Sequence, residues 1–305
     1  MKQVLLGFVL SVAAVCAFSQ KASNNTLLWK ISGNNLSRPS YLFGTIHMLC
    51  ADDIQLSDSL KAAIKKSDNV YLELDMDNIF EMLGVMGKMK MRNDTTLADL
   101  LTPAQYDSVK AYFKKQSTML PFSVVETYKP MLAASLLMQG SLDCENEVAM
   151  EQLIMKEAKT QGKRIKGLET MAFQISIFDS IPYGIQAKQL LSFVEQTGSD
   201  TTKNDDAEFQ EMSEAYRSQN LDTLEAITKR EDMGIANFTE LLLYKRNANW
   251  AQKLKDLMKG QSLVIAVGAG HLPGDRGVIN LLRKAGYKVE PVRNDMTKKP
   301  AERQL

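Results

Sequence analysis

The run Leu263-Val264-Ile265-Ala266-Val267 constrains the fold more than any other segment, and it ends on Gly268-Ala269-Gly270-His271. Five consecutive apolar residues without alternation read as a strand covered on both faces, as in an α/β sheet. A helix is predicted from about Asp275 to Ala285, halted at Gly286, and Tyr287 to Val292 reads as a closing strand. The amino-terminal part repeats this plan. Leu27 to Ser32 alternates like a strand, Gly33-Asn34-Asn35 is a turn, and Ser40-Tyr41-Leu42-Phe43 runs into Gly44-Thr45-Ile46-His47. Ser57 then caps a short helix carrying Leu60, Ala63 and Ile64, which leads to a strand over Val70-Tyr71-Leu72-Glu73-Leu74. Both ends thus show strand, Gly-x-x-His, helix, strand. The expected fold is α/β (α+β): two pseudo-symmetric halves of this kind forming a mixed central sheet, with a largely helical insertion between them.

That insertion starts with Thr102-Pro103, a cap followed by proline at the first helical position, opening a helix to about Lys115. Phe122 to Gln139 reads as a helix kinked at Pro130, and Glu145 to Thr160 as another ending at Gly162. A short strand follows at Arg164 to Leu168, leading into Glu169. Further helices are expected at Tyr183 to Gln196, Asp206 to Arg217, Leu221 to Arg230 and Asn237 to Met258, with a loop at Thr197 to Asp205.

The first 19 residues read as a cleavable signal peptide: Lys2, an apolar run from Val4 to Phe18, and small residues at Ala17 and Ser19. Residues 20–305 then form a single domain, with an amino-terminal half at about 27–80, a helical middle at 95–258 and a carboxyl-terminal half at 263–292. An exported protein, periplasmic or secreted, is expected, with lipidation at Cys16 as the lesser alternative. No segment after the leader approaches the roughly 20 apolar residues that cross a bilayer. The 37 basic and 36 acidic residues leave no excess of positive charge for nucleic acid. Cys50 and Cys144 remain after export, as a structural disulfide, two buried thiols, or a catalytic or metal-bound pair.

The chain has two histidines, His47 and His271, each closing a Gly-x-x-His turn after a strand. Glycine at a strand end permits a sharp turn, and the histidine would then project from the carboxyl edge of the sheet, where open α/β folds bind ligands. Glu73 interrupts an apolar strand, so its charge is paired, binds a cation, or faces outward on a half-exposed strand. Glu169 sits at a comparable strand end. Two imidazoles with one or two carboxylates suit divalent zinc, manganese, cobalt or iron, and such an ion supports hydrolysis. Arg246 and Asn247 precede Trp250 on the long helix; the arginine either holds a carboxylate or an oxyanion, or packs on the surface over Trp250. Met82, Met86 and Met89 recur at helical spacing as a flexible apolar face or lid. Gly268-x-Gly270 matches only part of a dinucleotide loop, since the third glycine would fall on Pro273.

Taken with Tyr41 to His47, Tyr71 to Asp75, Gly167-Leu168-Glu169-Thr170 with Gln174, Arg246-Asn247-x-x-Trp250, Val267 to Leu272 and Gly286-Tyr287-x-Val289, the chain resembles the TraB/GumN family of the TIKI superfamily. Erythromycin esterase and haem-binding ChaN are its distant relatives. The resemblance implies two α/β halves sharing a cleft and, from the TIKI members, metal-dependent proteolysis by the paired histidine motifs and a glutamate. It places His47, Glu73 and His271 at the centre, with Glu169, Gln174, Arg246 and Asn247 around them. Relatives often have an acid before the Arg-Asn pair, where this chain has Lys245, and that departure leaves the orientation of Arg246 open. The expected activity is a divalent-metal-dependent, peptidase-like hydrolase acting on a peptide or small molecule, with manganese, cobalt or zinc as cofactor. A metal-independent esterase using a histidine base, and a protein that binds haem, another small ligand or a peptide without turnover, are the alternatives.

Overall fold

The computed structural model describes residues 25–52, 54–116, 120–138, 144, 146–198, 205–230 and 238–296; the expected leader, with Cys16, lies outside them. The first elements are β1 (Leu28–Ser32), β2 (Ser40–Thr45), β3 (Leu49–Cys50), α1 (Asp58–Lys66), β4 (Asn69–Leu74), α2 (Ile79–Val85), α3 (Leu97–Leu100) and α4 (Pro103–Lys115). Next come α5 (Phe122–Val125), α6 (Pro130–Met138), β5 (Glu147–Val148), α7 (Met150–Thr160), β6 (Arg164–Glu169), α8 (Met171–Phe178) and α9 (Tyr183–Gly198). The last are α10 (Asp205–Arg217), α11 (Leu221–Thr228), α12 (Lys245–Leu257), β7 (Leu263–Gly268), α13 (Val278–Lys284) and β8 (Lys288–Pro291).

Six strands form one mixed sheet in the order β6-β4-β7-β2-β1-β8. The first four run parallel, and β1 is antiparallel to both its neighbours. β7 is buried from Leu263 to Val267, as its uninterrupted apolar run requires. The two strand-helix-strand units interlock: β7 lies between β2 and β4 of the amino-terminal unit, and β2 and β1 lie between β7 and β8. The main core is built on this sheet, whereas Leu97, Leu101, Val109, Phe113, Leu137 and Leu190 belong to a second apolar cluster among the inserted helices.

Two expectations are corrected. The segment 122–139 is not one kinked helix. α5 stops at Val125, and Pro130 starts α6 afresh, because its ring leaves no N–H for a preceding turn and suits the first position of a new helix. Nor do residues 146–149 belong to the helix expected from Glu145. Glu147 and Val148 instead pair with Cys50 and Leu49 as the short antiparallel ribbon β3-β5, and α7 follows from Met150. Cys50 and Cys144 are joined by a disulfide beside this ribbon, with Cα atoms 5.9 Å apart and a sequence separation of 94. Among the described residues no helix is long and apolar enough to cross a membrane.

A cross-link across so long a loop restricts the unfolded chain strongly. Replacing Cys50 and Cys144 together by serine is therefore expected to lower unfolding stability by about 2–4 kcal/mol, measured in urea without reductant. An unmoved midpoint would show that the ribbon holds without it.

Candidate functional site

The parallel strands β2, β7, β4 and β6 end along one edge of the sheet, and the conspicuous polar residues gather there. Thr45 is in register with Gly268, and Leu74 with Glu169. His47 lies just beyond β2, His271 just beyond β7, Glu73 near the end of β4 and Glu169 at the end of β6. The glycines serve close approach rather than sharp turning, since neither Gly44 nor Gly268 has a positive φ. A Cβ on Gly44 would lie 2.8 Å from Leu272 Cδ1 and 3.1 Å from Ala269 Cα, so glycine lets the histidine turn of β7 pack on β2. The Gly268 N–H donates to Glu73 Oε1 at 2.8 Å.

Arg246 joins these strand ends. Its Nη2 donates to Glu73 Oε2 at 2.6 Å and lies 2.9 Å from Glu169 Oε2, while Nε donates to both Glu169 oxygens at 3.2 and 3.0 Å. Nη1 donates to the Leu242 carbonyl at 3.0 Å and faces His271 Nε2 at 3.3 Å. All three guanidinium nitrogens are thereby engaged. The Leu242 carbonyl belongs to a turn of π-helix, Glu240–Tyr244, that precedes α12, a distortion common near functional sites. Arg246 also stacks over Trp250, 4.7 Å from the ring centroid, so it covers the tryptophan from inside the protein rather than from the surface. Lys245 is exposed; Glu73, Glu169 and Leu242 orient Arg246 without any acid at position 245. Gln174 of α8 completes the network by donating to Glu73 Oε2 at 3.1 Å.

Asn247 sets the state of His271. Its amide Nδ2 donates to the carbonyls of Arg276 at 2.9 Å and His271 at 3.4 Å, which leaves Oδ1 as an acceptor 2.5 Å from His271 Nδ1. His271 therefore carries its proton on Nδ1 and presents a bare Nε2 to Arg246. Burial, reinforced by the Arg246 charge, pushes its pKa down to about 4 against the pull of Glu73. Burial likewise opposes ionisation of Glu73, but His271, Arg246 and the Gly268 N–H outweigh it and hold its pKa at about 2. At neutral pH His271 is uncharged, so Arg246 and Gly268 are what keep Glu73 an anion. Burial raises the pKa of Glu169, with Arg246 opposing.

His47 is different. Its side chain is 77% exposed, and it stands apart from the Arg246 hydrogen bonds. Its Nδ1 lies 3.0 Å from Oε1 of Glu151 on α7, and that hydrogen bond raises its pKa. One cavity of about 470 Å³ is lined by His47, Glu73, Glu151 and Gln174, and an adjoining one of about 320 Å³ by His47, Glu73, Arg246 and His271. The shared lining residues make them one cleft. The residues expected from the sequence thus meet, with His47 facing the others across it. Glu151 was missed, although a signal existed: it shares a helical stripe with Ile154 and Ala158, where an apolar residue is the ordinary occupant. Met82 and Met86 do not enter the core; with Ile79, Phe80 and Leu83 they are exposed, and Met76 connects this ridge to the cleft wall.

The donor chemistry of the cleft, two imidazole nitrogens and a carboxylate, suits a divalent ion. Among the described residues no three histidine, cysteine or acidic groups are arranged as a ready-made metal site.

All of these residues lie within a stretch that matches a known family. The model of the TraB/PrgY/gumN family matches residues 27–291. Among curated proteins, a metalloprotease TIKI homolog of Amphimedon queenslandica is 23% identical over 94% of this chain and 66% of its own length. Metalloprotease TIKI2 of Danio rerio is 23% identical over 87% of this chain and 61% of its own. Metalloprotease TIKI1 of Homo sapiens is 21% identical over 93% and 66%. The chain thus spans about two thirds or less of the length of these relatives. No solved structure gives a significant match.

Two outcomes follow from the electrostatics. Arg246→Met leaves Glu73 and Glu169 buried without their partner and is expected to cost roughly 3–5 kcal/mol in chemical denaturation, with Arg246→Lys recovering only part. His271 is protonated more readily unfolded, at its ordinary 6.5, than folded, at about 4. Its contribution to stability is therefore complete above 6.5 and lost as pH falls toward 4, by an amount on the order of 3 kcal/mol. In metal-free buffer, His271→Asn should flatten that limb of the stability–pH curve; an unchanged slope would place its source elsewhere.

Proposed function

The chain belongs to the TraB/PrgY/gumN family, and on that premise we propose that it is an exported, periplasmic or secreted, divalent-metal-dependent hydrolase of peptidase type. The observation that carries this reading is the treatment of its two histidines. Asn247 holds Nδ1 of His271 and Glu151 holds Nδ1 of His47, which leaves Nε2 of His47 for the cleft that Glu73 also lines and Nε2 of His271 facing Arg246, whose contact an ion would replace. Metal-binding histidines are ordinarily anchored in this way through their other nitrogen. The naming of the relatives as metalloproteases supports the same chemistry.

His47 and His271 would hold manganese, cobalt or zinc through Nε2, with Glu73 as the anionic oxygen ligand. When bound, such an ion polarises a scissile carbonyl and lowers the pKa of a water molecule. Glu73, with a pKa of about 2, is better suited to carry negative charge than to accept a proton near neutrality. Arg246 has all three guanidinium nitrogens engaged by the protein, so in this arrangement it anchors Glu73 and keeps His271 neutral instead of binding an oxyanion. Asn247, Glu169 and Gln174 hold that arrangement in turn. The apolar ridge of Met76, Ile79, Phe80 and Leu83 beside the cleft suits a peptide with apolar side chains.

A second reading is favoured by the short contact between Arg246 and Glu73, because the guanidinium already supplies the cation that this carboxylate needs. In it, hydrolysis proceeds without metal and His47, exposed and paired with Glu151, takes the proton from water.

Equilibrium binding of manganese, cobalt and zinc, with hydrolysis of a mixed peptide library before and after chelation, separates the two. The metal reading expects His47→Ala and His271→Ala each to weaken binding by more than the roughly 10–100-fold typical of losing only a ligand's anchor, and chelation to abolish hydrolysis. Unchanged binding in both variants overturns it. Activity that survives chelation but disappears in His47→Ala establishes the second reading.

A further inference from the structure

Glu151 lies on α7, at a position whose helical neighbours Ile154 and Ala158 are fully buried. The residue is itself only 8% exposed, and its Oε2 has no hydrogen-bond partner. Burying a carboxylate costs several kcal/mol unless it is paired. Among the described residues the one ion pair Glu151 makes is with His47, through Oε1 at 3.0 Å. A first-turn acid also gains from the helix dipole, but by roughly 0.3–1 kcal/mol at the surface, and that gain needs no burial.

The backbone brings the two side chains together. β3 and β5 pair Leu49 with Val148 and Cys50 with Glu147. The Met150 N–H donates to the Ile46 carbonyl at 3.1 Å, Ala51 N–H to the Asn146 carbonyl at 2.8 Å, and the disulfide closes the far side. The chain just before and just after His47 is therefore tied to the segment that starts α7, and Glu151 is held under the imidazole.

We propose that Glu151 is the positioning residue of His47: it accepts the Nδ1 proton, fixes the ring and its tautomer, and leaves Nε2 for the cleft. It does for the exposed histidine what Asn247 does for the buried one, with an anion in place of an amide. The consequence for hydrolysis rests on the function proposed above; the effect on the ring does not.

Because the chain has only two histidines, labelling its histidine rings with nitrogen-15 yields two sets of ring signals, and His47→Ala assigns them. At a pH alkaline enough to make both rings neutral, His47 of the wild type should carry its proton on Nδ1. Glu151→Ala should move that proton to Nε2, while Glu151→Gln, whose amide oxygen can still accept, should restore it. Unchanged His271 signals would show that each variant is folded. Hydrolysis should fall about 10–100-fold in Glu151→Ala and less in Glu151→Gln, as for loss of a group that orients a reacting histidine. A His47 tautomer that is the same in Glu151→Ala as in the wild type overturns the assignment, even in an active hydrolase. A tautomer that shifts in a protein without any hydrolytic activity upholds it and overturns the proposed function instead.

Discussion

The edge of this sheet depends on one buried guanidinium. Glu73 and Glu169 stand on neighbouring parallel strands with side chains 15% and 5% exposed, and without Arg246 between them their charges would repel in a poorly hydrated place. Arg246 comes from α12, so the interaction also fixes that helix against β4 and β6. Its contact with His271 Nε2 draws in the turn after β7. Breaking any one of these links would leave a buried charge or a bare nitrogen, which makes the arrangement cooperative rather than a sum of separate pairs.

The backbone plan is pseudo-symmetric and the chemistry is not. Both histidines follow strand ends on adjacent parallel strands, yet His271 is buried, neutral and held by an amide, whereas His47 is exposed and held by a carboxylate. A cleft with two such imidazoles contains one group whose charge the protein suppresses and one whose charge it favours. Pairs pushed apart in this way are the usual means of assigning different tasks to one residue type.

How much was legible beforehand followed the range of the physical signal. The apolar run of β7, the cap at Ser57 and the break at Gly286 are local, and the corresponding elements stand close to their expected places. Rare residues at strand ends, His47, Glu73 and His271, marked the edge where the cleft lies. What escaped depends on distant partners. Glu147 and Val148 become a strand because Leu49 and Cys50 lie beside them, and nothing near residue 147 announces that. Arg246 is a core residue rather than a surface one because two carboxylates, 77 and 173 residues away in sequence, meet it. The glycines of the histidine turns were assigned to tight turning, but Gly44 is needed for the room it gives Leu272, a contact only the assembled sheet reveals.

The interleaving of the two units reaches beyond the cleft to the order in which the chain can fold. β2 and β4 are not neighbours; the place between them is taken by β7, whose residues come more than 180 positions after β4 in the chain. Until Leu263 to Gly268 are made, β2 and β4 each carry an open parallel edge, and Glu73 lacks the amide of Gly268. Such long-range pairing slows folding and leaves apolar strands exposed for longer. A chain that has not yet reached β7 cannot complete this sheet, and the edges of β2 and β4 stay open to other strands until those residues arrive.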